Sequence, residues 1–185
     1  MRIPSLIAVL ALALTACATA PERTAPGTTV SGGRPPRPSP PPDVVEAARR
    51  KPAPALRVTA FDGRTVTLAG LRGRPAVVSF FESWCPVCQA EQPGLSRVAR
   101  DLDGEVGFVG VSYRDTVADG RAYGRRFDVP YPLANDASGR IWARWRVPFQ
   151  PVTVVVDKQG RIAARFDRAV TPARLRATLA YLAGE

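Results

Sequence analysis

Histidine is absent from this chain of 185 residues, and its absence excludes several kinds of catalytic and metal site. A Ser-His-Asp triad, a cysteine paired with histidine and a histidine-ligated metal all require that side chain. Covalent haem attachment is excluded as well, because Gln89 and not histidine follows Cys88. Cysteine is scarce too, with only three in the chain, and a zinc site needs more ligands than Cys85 and Cys88 supply. The sequence therefore predicts no metal and no cofactor.

Lysine is also rare, since only Lys51 and Lys158 break an otherwise all-arginine set of 26 basic residues. The formal charge is nevertheless +10 at pH 7, which suits anionic lipid headgroups or nucleic acid. The chain lacks a run of Lys and Arg and lacks a basic stripe interleaved with aromatic residues, which are typical of nucleic-acid binding. We therefore predict a solvated basic surface and no nucleic-acid partner.

The apolar run at residues 3–16 is too short to span a membrane, and a single arginine precedes it. This pattern is typical of a secretory signal. Its ending, Leu14-Thr15-Ala16-Cys17, resembles the lipobox of bacterial lipoproteins, in which the signal is cut before a cysteine that carries lipid. The resemblance implies a signal peptide over residues 1–16 and membrane attachment through Cys17. The alternative is an ordinary secreted protein that is cut nearby.

Residues 17–52 are rich in Pro, Gly, Thr, Ser and Arg, a composition that cannot bury a core. We expect this stretch to be a disordered tether that begins at the lipid-anchor cysteine, followed by one domain over residues 53–185. Export has a chemical consequence, because a dithiol outside the cytosol is not held reduced by default. A disulfide between Cys85 and Cys88 would persist there.

The most informative pattern is a buried-strand candidate at residues 76–81 that leads into Cys85-Pro86-Val87-Cys88. Proline suits the first position of a helix, so a helix is predicted to begin at Pro86. Unpaired N–H groups and the macrodipole at a helix start favour a thiolate on the first cysteine. Two thiols at this spacing, with one of them activated, are what thiol–disulfide exchange requires.

The rest of the domain alternates strands with helices, which predicts an α/β sheet covered on both faces. An Asp62-Gly63 turn predicts an opening hairpin, and Thr171 followed by Pro172 predicts the start of the last helix. The predicted strands are residues 56–60, 65–68, 76–81, 106–112, 152–156 and 161–166, and the other predicted helices are residues 116–127 and 137–146.

Residues 56–185 resemble the thioredoxin fold, in its extracytoplasmic TlpA/ResA/DsbE-like branch. The resemblance rests on the hairpin, the lead-in at residues 71–75, the Trp84-Cys-x-x-Cys motif and the segment at residues 147–151 that ends in Pro151. It implies an α/β thioredoxin fold with a central mixed sheet, helices on both faces and an N-terminal β-hairpin extension. It also implies a thiol–disulfide oxidoreductase.

The resemblance assigns roles to the two cysteines. Cys85 is the expected nucleophile, exposed at the helix start, and Cys88 is the more buried thiol that resolves a mixed disulfide. Pro86 and Val87 would tune the redox potential. Ser79 departs from many thioredoxins, which carry a buried acid at that position, so proton transfer would have to use water, Glu91 or another group.

Four further residues are expected to shape the site. Pro151 matches the family's cis-proline and would face the disulfide, while the backbone of Gln150 would pair with an extended substrate segment. Trp84 would cover one side of the site. Glu91 would accept a proton or influence partner choice. The alternatives are a trans proline, a tryptophan that only packs and an ordinary exposed acid.

The expected function is exchange of the Cys85–Cys88 disulfide with exported cysteine-containing proteins by a monomer at the cell envelope. Recycling would come from a membrane redox partner, either a quinone-linked oxidase or a thiol electron carrier. Oxidation of clients is favoured over reduction, such as that needed in cytochrome c maturation. Two other functions stay open: a peroxiredoxin-type peroxidase, which would want threonine where Glu82 stands, and a non-catalytic surface lipoprotein.

Overall fold

The computed structural model describes residues 39–185, so Cys17 and the predicted signal peptide lie outside the described residues. Five strands form a central sheet in the order β5-β4-β3-β6-β7, and two shorter strands form a separate hairpin. The strands are β1 (Arg57–Thr59), β2 (Thr65–Thr67), β3 (Ala76–Phe80), β4 (Gly107–Ser112), β5 (Leu133–Asn135), β6 (Val152–Val156) and β7 (Ile162–Phe166). The helices are α1 (Pro86–Asp101), α2 (Val117–Arg126), α3 (Arg140–Arg144) and α4 (Pro172–Ala183).

The central sheet is mixed, as predicted. β3 is parallel to β4 and antiparallel to β6, and all residues of these three strands are buried. Continuous apolar runs of this kind form strands that are covered on both faces. Two clusters of buried side chains lie on opposite faces, one containing Leu175 of α4 and the other containing Trp142 of α3. The predicted covering of both faces is therefore confirmed.

The predicted hairpin forms β1 and β2, joined by a turn with Gly63 at φ 87°. A positive φ is open to glycine without steric cost, which explains the Asp62-Gly63 pair. Beyond the hairpin, Ala60 bridges to Ala134 in β5. That edge strand was not predicted from the sequence.

The helix starts follow the predicted capping. Thr171 accepts the N–H of Arg174 at 3.3 Å and Pro172 occupies the first turn of α4. Such a cap satisfies one of the N–H groups that a helix start leaves unpaired. Among residues 39–185, no helix is long and apolar enough to cross a membrane.

The end of the predicted tether packs on the domain instead of remaining free. Val44 is buried and bridges to Ala164 of β7, and the side chain of Arg50 is fully buried. The Arg50 guanidinium bonds both Asp157 and the last residue, Glu185. The folded unit therefore begins before the predicted boundary at residue 53. The sequence did not reveal this, because the contacts are made with residues more than 100 positions away.

Candidate active site

The two cysteines lie where the central strand β3 passes into α1. Cys85 is the N-cap of α1, and its Sγ accepts the main-chain N–H of Cys88 at 3.2 Å. Pro86 occupies the first turn, where its missing N–H costs nothing. Both thiols are unbridged in this structure. One helix start therefore places both sulfurs together, as the Cys-x-x-Cys spacing predicted.

The expectation that Cys85 would be exposed is wrong in this structure. Cys85 is only 5% exposed and Cys88 is 2% exposed, so their predicted order holds but both are buried. Both belong to the buried cluster that includes Phe81 and Tyr123. The cause is that Cys85 turns its side chain inward to cap the helix, which brings it against the core.

Cys88 is held as a neutral thiol. Burial raises its pKa well above the ordinary thiol value, and a hydrogen bond with Cys85 raises it further. The main chain of Glu82 acts in the opposite direction, and the charge of Glu91 adds to the increase. Release of the proton from Cys88 therefore needs a nearby acceptor or a large change at Cys85.

Glu91 lies three residues after Cys88 on α1, hence on the same side of the helix. Its Oε1 accepts the N–H of Val170 at 2.7 Å, and the side chain is half-buried. Burial raises the pKa of Glu91 to about 7, and the Val170 N–H partly opposes the increase. A carboxyl group with this pKa can gain or lose a proton near neutral pH.

The segment before β6 lies beside the cysteines through strand register. Phe80 pairs with Val152, so Pro151 is level with the residue that follows β3. The Gln150–Pro151 peptide bond is cis, as predicted, while the bond before Pro148 is not. Pro151 is buried and Gln150 is half-buried. Gln150 lines the same cavity as Trp84, the residue before Cys85.

Exposed apolar side chains surround the buried thiols. Trp84 is 55% exposed, and Val87 and Phe149 are each 50% exposed. The predicted alternative for Trp84, a purely packing role, does not fit that exposure. Ser79 is buried within β3 and supplies no titratable group, as expected. An apolar rim of this kind is typical of a surface that contacts another protein.

Two buried acids near the site were missed in the sequence. Glu82 is 1% exposed, and burial raises its pKa to about 7 with a further contribution from Asp115. Asp115 is also buried and accepts the N–H and hydroxyl of Ser83. Glu82 directly follows the apolar run at residues 76–81. An acid at the end of a buried strand was the signal that could have predicted its burial. Glu82 also stands where a peroxidase would want a threonine.

The charged and thiol groups of the site form no metal centre within the described range. In residues 39–185 no three His, Cys, Asp or Glu side chains are grouped so that they could hold an ion.

Comparison with known proteins identifies a family and several relatives. A model of the AhpC/TSA family matches residues 50–165. The soluble secreted antigen MPT53 of Mycobacterium tuberculosis is 40% identical over 108 residues, which are 58% of this chain and 59% of MPT53. The chain thus matches about three fifths of that relative's length. The thiol:disulfide interchange protein DsbE of Pseudomonas aeruginosa is 34% identical over 125 residues, covering 66% of this chain and 68% of DsbE.

A solved structure gives the same result. A secreted Mycobacterium tuberculosis disulfide oxidoreductase, homologous to E. coli DsbE, superposes with a TM-score of 0.63 at 34% identity. The alignment covers 69% of this chain and 96% of that protein. The predicted thioredoxin fold and the resemblance to the DsbE-like branch are confirmed.

Proposed function

The chain belongs to the AhpC/TSA family, and on that premise we propose that it is a thiol–disulfide oxidoreductase acting on cysteine-containing proteins outside the cytoplasm. The observation that carries the proposal is the placement of both cysteines at one helix start, with Cys85 Sγ accepting the Cys88 N–H. The likeness to thiol:disulfide interchange proteins supports the same chemistry.

In the oxidising direction, a client thiolate attacks Cys85 in the Cys85–Cys88 disulfide. The bond between client and Cys85 forms as the Cys85–Cys88 bond breaks, and Cys88 leaves as a thiolate that takes up one proton. The second thiolate of the same client then attacks the client sulfur of the mixed disulfide. A disulfide forms within the client, and Cys85 leaves as a thiolate that takes up the second proton. The client loses two electrons and two protons, and the enzyme gains them.

Glu91 is proposed as the group that exchanges the proton with Cys88. It lies one helical turn from Cys88, and its charge raises the Cys88 pKa. A carboxyl pKa of about 7 favours both uptake and release near neutral pH. Ser79 cannot titrate usefully. Glu91 would therefore transfer the proton that a buried acid at the position of Ser79 transfers in many thioredoxins.

We assign client recognition to the exposed residues and the Gln150 segment around the two cysteines. An extended client segment would pair with the backbone of Gln150 beside Pro151, and Trp84 and Val87 would cover apolar client side chains. Pro86 and Val87 add no charge between the cysteines. The redox potential would therefore be set mainly by the helix start and by burial of the two sulfurs. Backbone pairing of this kind gives affinity with little sequence preference.

We place the protein at the cell envelope, held to the membrane by a lipid on Cys17 and acting as a monomer. The signal pattern at residues 1–16 supports export, and the secreted relative MPT53 supports the compartment. A membrane partner, either a quinone-linked oxidase or a thiol electron carrier, would restore the active redox state. Oxidation of clients is the proposed direction.

Trapping with the full-length Cys88→Ser chain in its native envelope tests the activity. Without the resolving sulfur, Cys85 should hold clients as mixed disulfides that appear on non-reducing gels and vanish on reduction. Cys85→Ala is the matched control and should trap nothing. Absence of any trapped client would contradict the proposal, as would fast peroxide turnover that survives Cys88→Ser.

Redox titration of the wild-type pair tests the direction. A midpoint above about −200 mV agrees with oxidation of clients, and one below about −250 mV reverses the proposed direction.

A further inference from the structure

A cavity of about 400 Å³ lies beside the cysteine site on the side of the Gln150 segment. Aromatic side chains form much of its wall, among them Trp84, Tyr113 and Phe149. Gln150, the residue assigned to client backbone pairing, also lines it. A client segment paired at Gln150 would therefore place a neighbouring side chain in this cavity.

Glu82 is among the residues that line the cavity, and the charge of Arg114 lowers the pKa of its carboxyl group without a close ion pair. Both of its oxygens accept the main-chain N–H of Arg114, at 3.0 and 3.1 Å. Within residues 39–185 no ion pair involves Glu82. A second buried carboxylate, Asp115, lies near enough to raise its pKa. Buried charge without a close ion pair is costly, and a client cation at the carboxylate would relieve the cost.

Glu82 and Glu91 serve different parts of the site. The main charges that raise the pKa of Cys88 come from Cys85 and Glu91. The main chain of Glu82 lowers the pKa of Cys88. Its carboxylate bonds the N–H of Arg114 just after β4, and both residues line the cavity. We therefore assign Glu91 to the Cys88 proton and Glu82 to the client.

We propose that this cavity is a specificity subsite for a basic side chain, lysine or arginine, close in sequence to the client's reacting cysteine. The aliphatic part of that side chain would pack against the aromatic walls, and its cation would face the Glu82 carboxylate. Aromatic rings also attract cations through their faces. The proposal rests on the proposed function, because it needs a client bound at Gln150.

The guanidinium of Arg114 is a positive charge that would compete with the client's cation at this subsite. This guanidinium is exposed and lies 5.7 Å from the centre of the Tyr113 ring. It thus occupies a cation–aromatic contact near the cavity without forming an ion pair to Glu82. Removal of this guanidinium should strengthen the preference for a basic client, while its main-chain N–H still supports Glu82.

The test uses the full-length chain, oxidised at Cys85–Cys88, and reduced peptides with two cysteines. One residue near the first cysteine is lysine in one peptide and acetyl-lysine in its partner, and its position is scanned over three residues on each side. Single-turnover oxidation is followed at pH 8 by acid quenching and mass spectrometry of the peptide disulfide. The measured quantity is the lysine-to-acetyl-lysine rate ratio, which cancels general changes in activity.

In the wild type, at least one position should show a ratio of roughly five to ten, as expected for a partly buried ion pair. Glu82→Gln keeps the size and an oxygen acceptor but loses the charge, so its ratio should fall to about one. Glu105→Gln is the matched control, because Glu105 is exposed and precedes β4 at the opposite end of that strand. Its ratio should equal that of the wild type.

The outcomes separate the two proposals. If no peptide is oxidised faster than by glutathione disulfide alone, the proposed function fails and the subsite fails with it. If peptides react but every wild-type ratio is near one, or Glu82→Gln keeps the wild-type ratio, only the subsite is refuted. If Glu82→Gln does not fold, Arg114→Gln decides: a ratio above that of the wild type supports the subsite, and an unchanged or lower one overturns it.

Discussion

Replacement of Glu91 by glutamine should make the folded chain more stable at neutral and alkaline pH while slowing exchange. The carboxyl pKa rises from an ordinary 4.5 to about 7 on folding because the group is buried. Each pKa unit corresponds to about 1.4 kcal/mol, so ionisation of Glu91 costs the folded state roughly 3 kcal/mol. Glutamine keeps an oxygen for the Val170 N–H and has no charge to bury.

The pH window follows from the raised pKa. Below about pH 4.5 the acid is protonated in both the folded and unfolded chains, and its contribution to stability is fully present. The unfolded chain loses its proton first, so that contribution falls as the pH rises and is lost above about pH 7. Glu82 has a similarly raised pKa, so Glu91→Gln should remove about half of the pH dependence that the two acids cause.

Thermal unfolding of the reduced full-length chain at pH 5 and pH 8 measures the effect. The melting temperature of Glu91→Gln should exceed that of the wild type by roughly 6 to 12 °C at pH 8, and by much less at pH 5. The exposed Glu105→Gln should match the wild type at both values. An equal pH dependence in Glu91→Gln and wild type would refute the assignment of a buried, raised-pKa carboxyl at residue 91.

Other predictions concern the packing that supports the site. Arg50→Ala removes a fully buried guanidinium and leaves two carboxylates without it, so urea unfolding should show a loss of about 3 kcal/mol, whereas the exposed Arg174→Ala should cost much less. Equal losses in the two variants would contradict the packed N-terminal segment. Gly120→Ala in α2 places a Cβ 2.2 Å from the Phe61 ring and should lower stability by about 1–3 kcal/mol. Gly124→Ala in the same helix meets its nearest side chain at 3.3 Å, so the higher helix propensity of alanine should leave its stability equal or greater. A loss at residue 124 as large as at residue 120 would exclude the clash as the cause.

Local patterns were sufficient for the fold class and for the centre of the site. Apolar runs fixed β3, β4 and β6, and the Cys85-x-x-Cys88 spacing at a helix start placed the two sulfurs together. The cis bond before Pro151 was expected through the family resemblance. These features depend on residues close in the chain, so a sequence can specify them.

Tertiary structure alone decided how those residues are buried and charged. Cys85 is buried and not exposed, and burial raises the pKa of Glu91, whose carboxyl group bonds the distant Val170 N–H. The Glu82 cavity and the packed Arg50 could not be read from the sequence for the same reason. Burial and unpaired charge depend on side chains from distant parts of the chain, and only the folded arrangement brings those together.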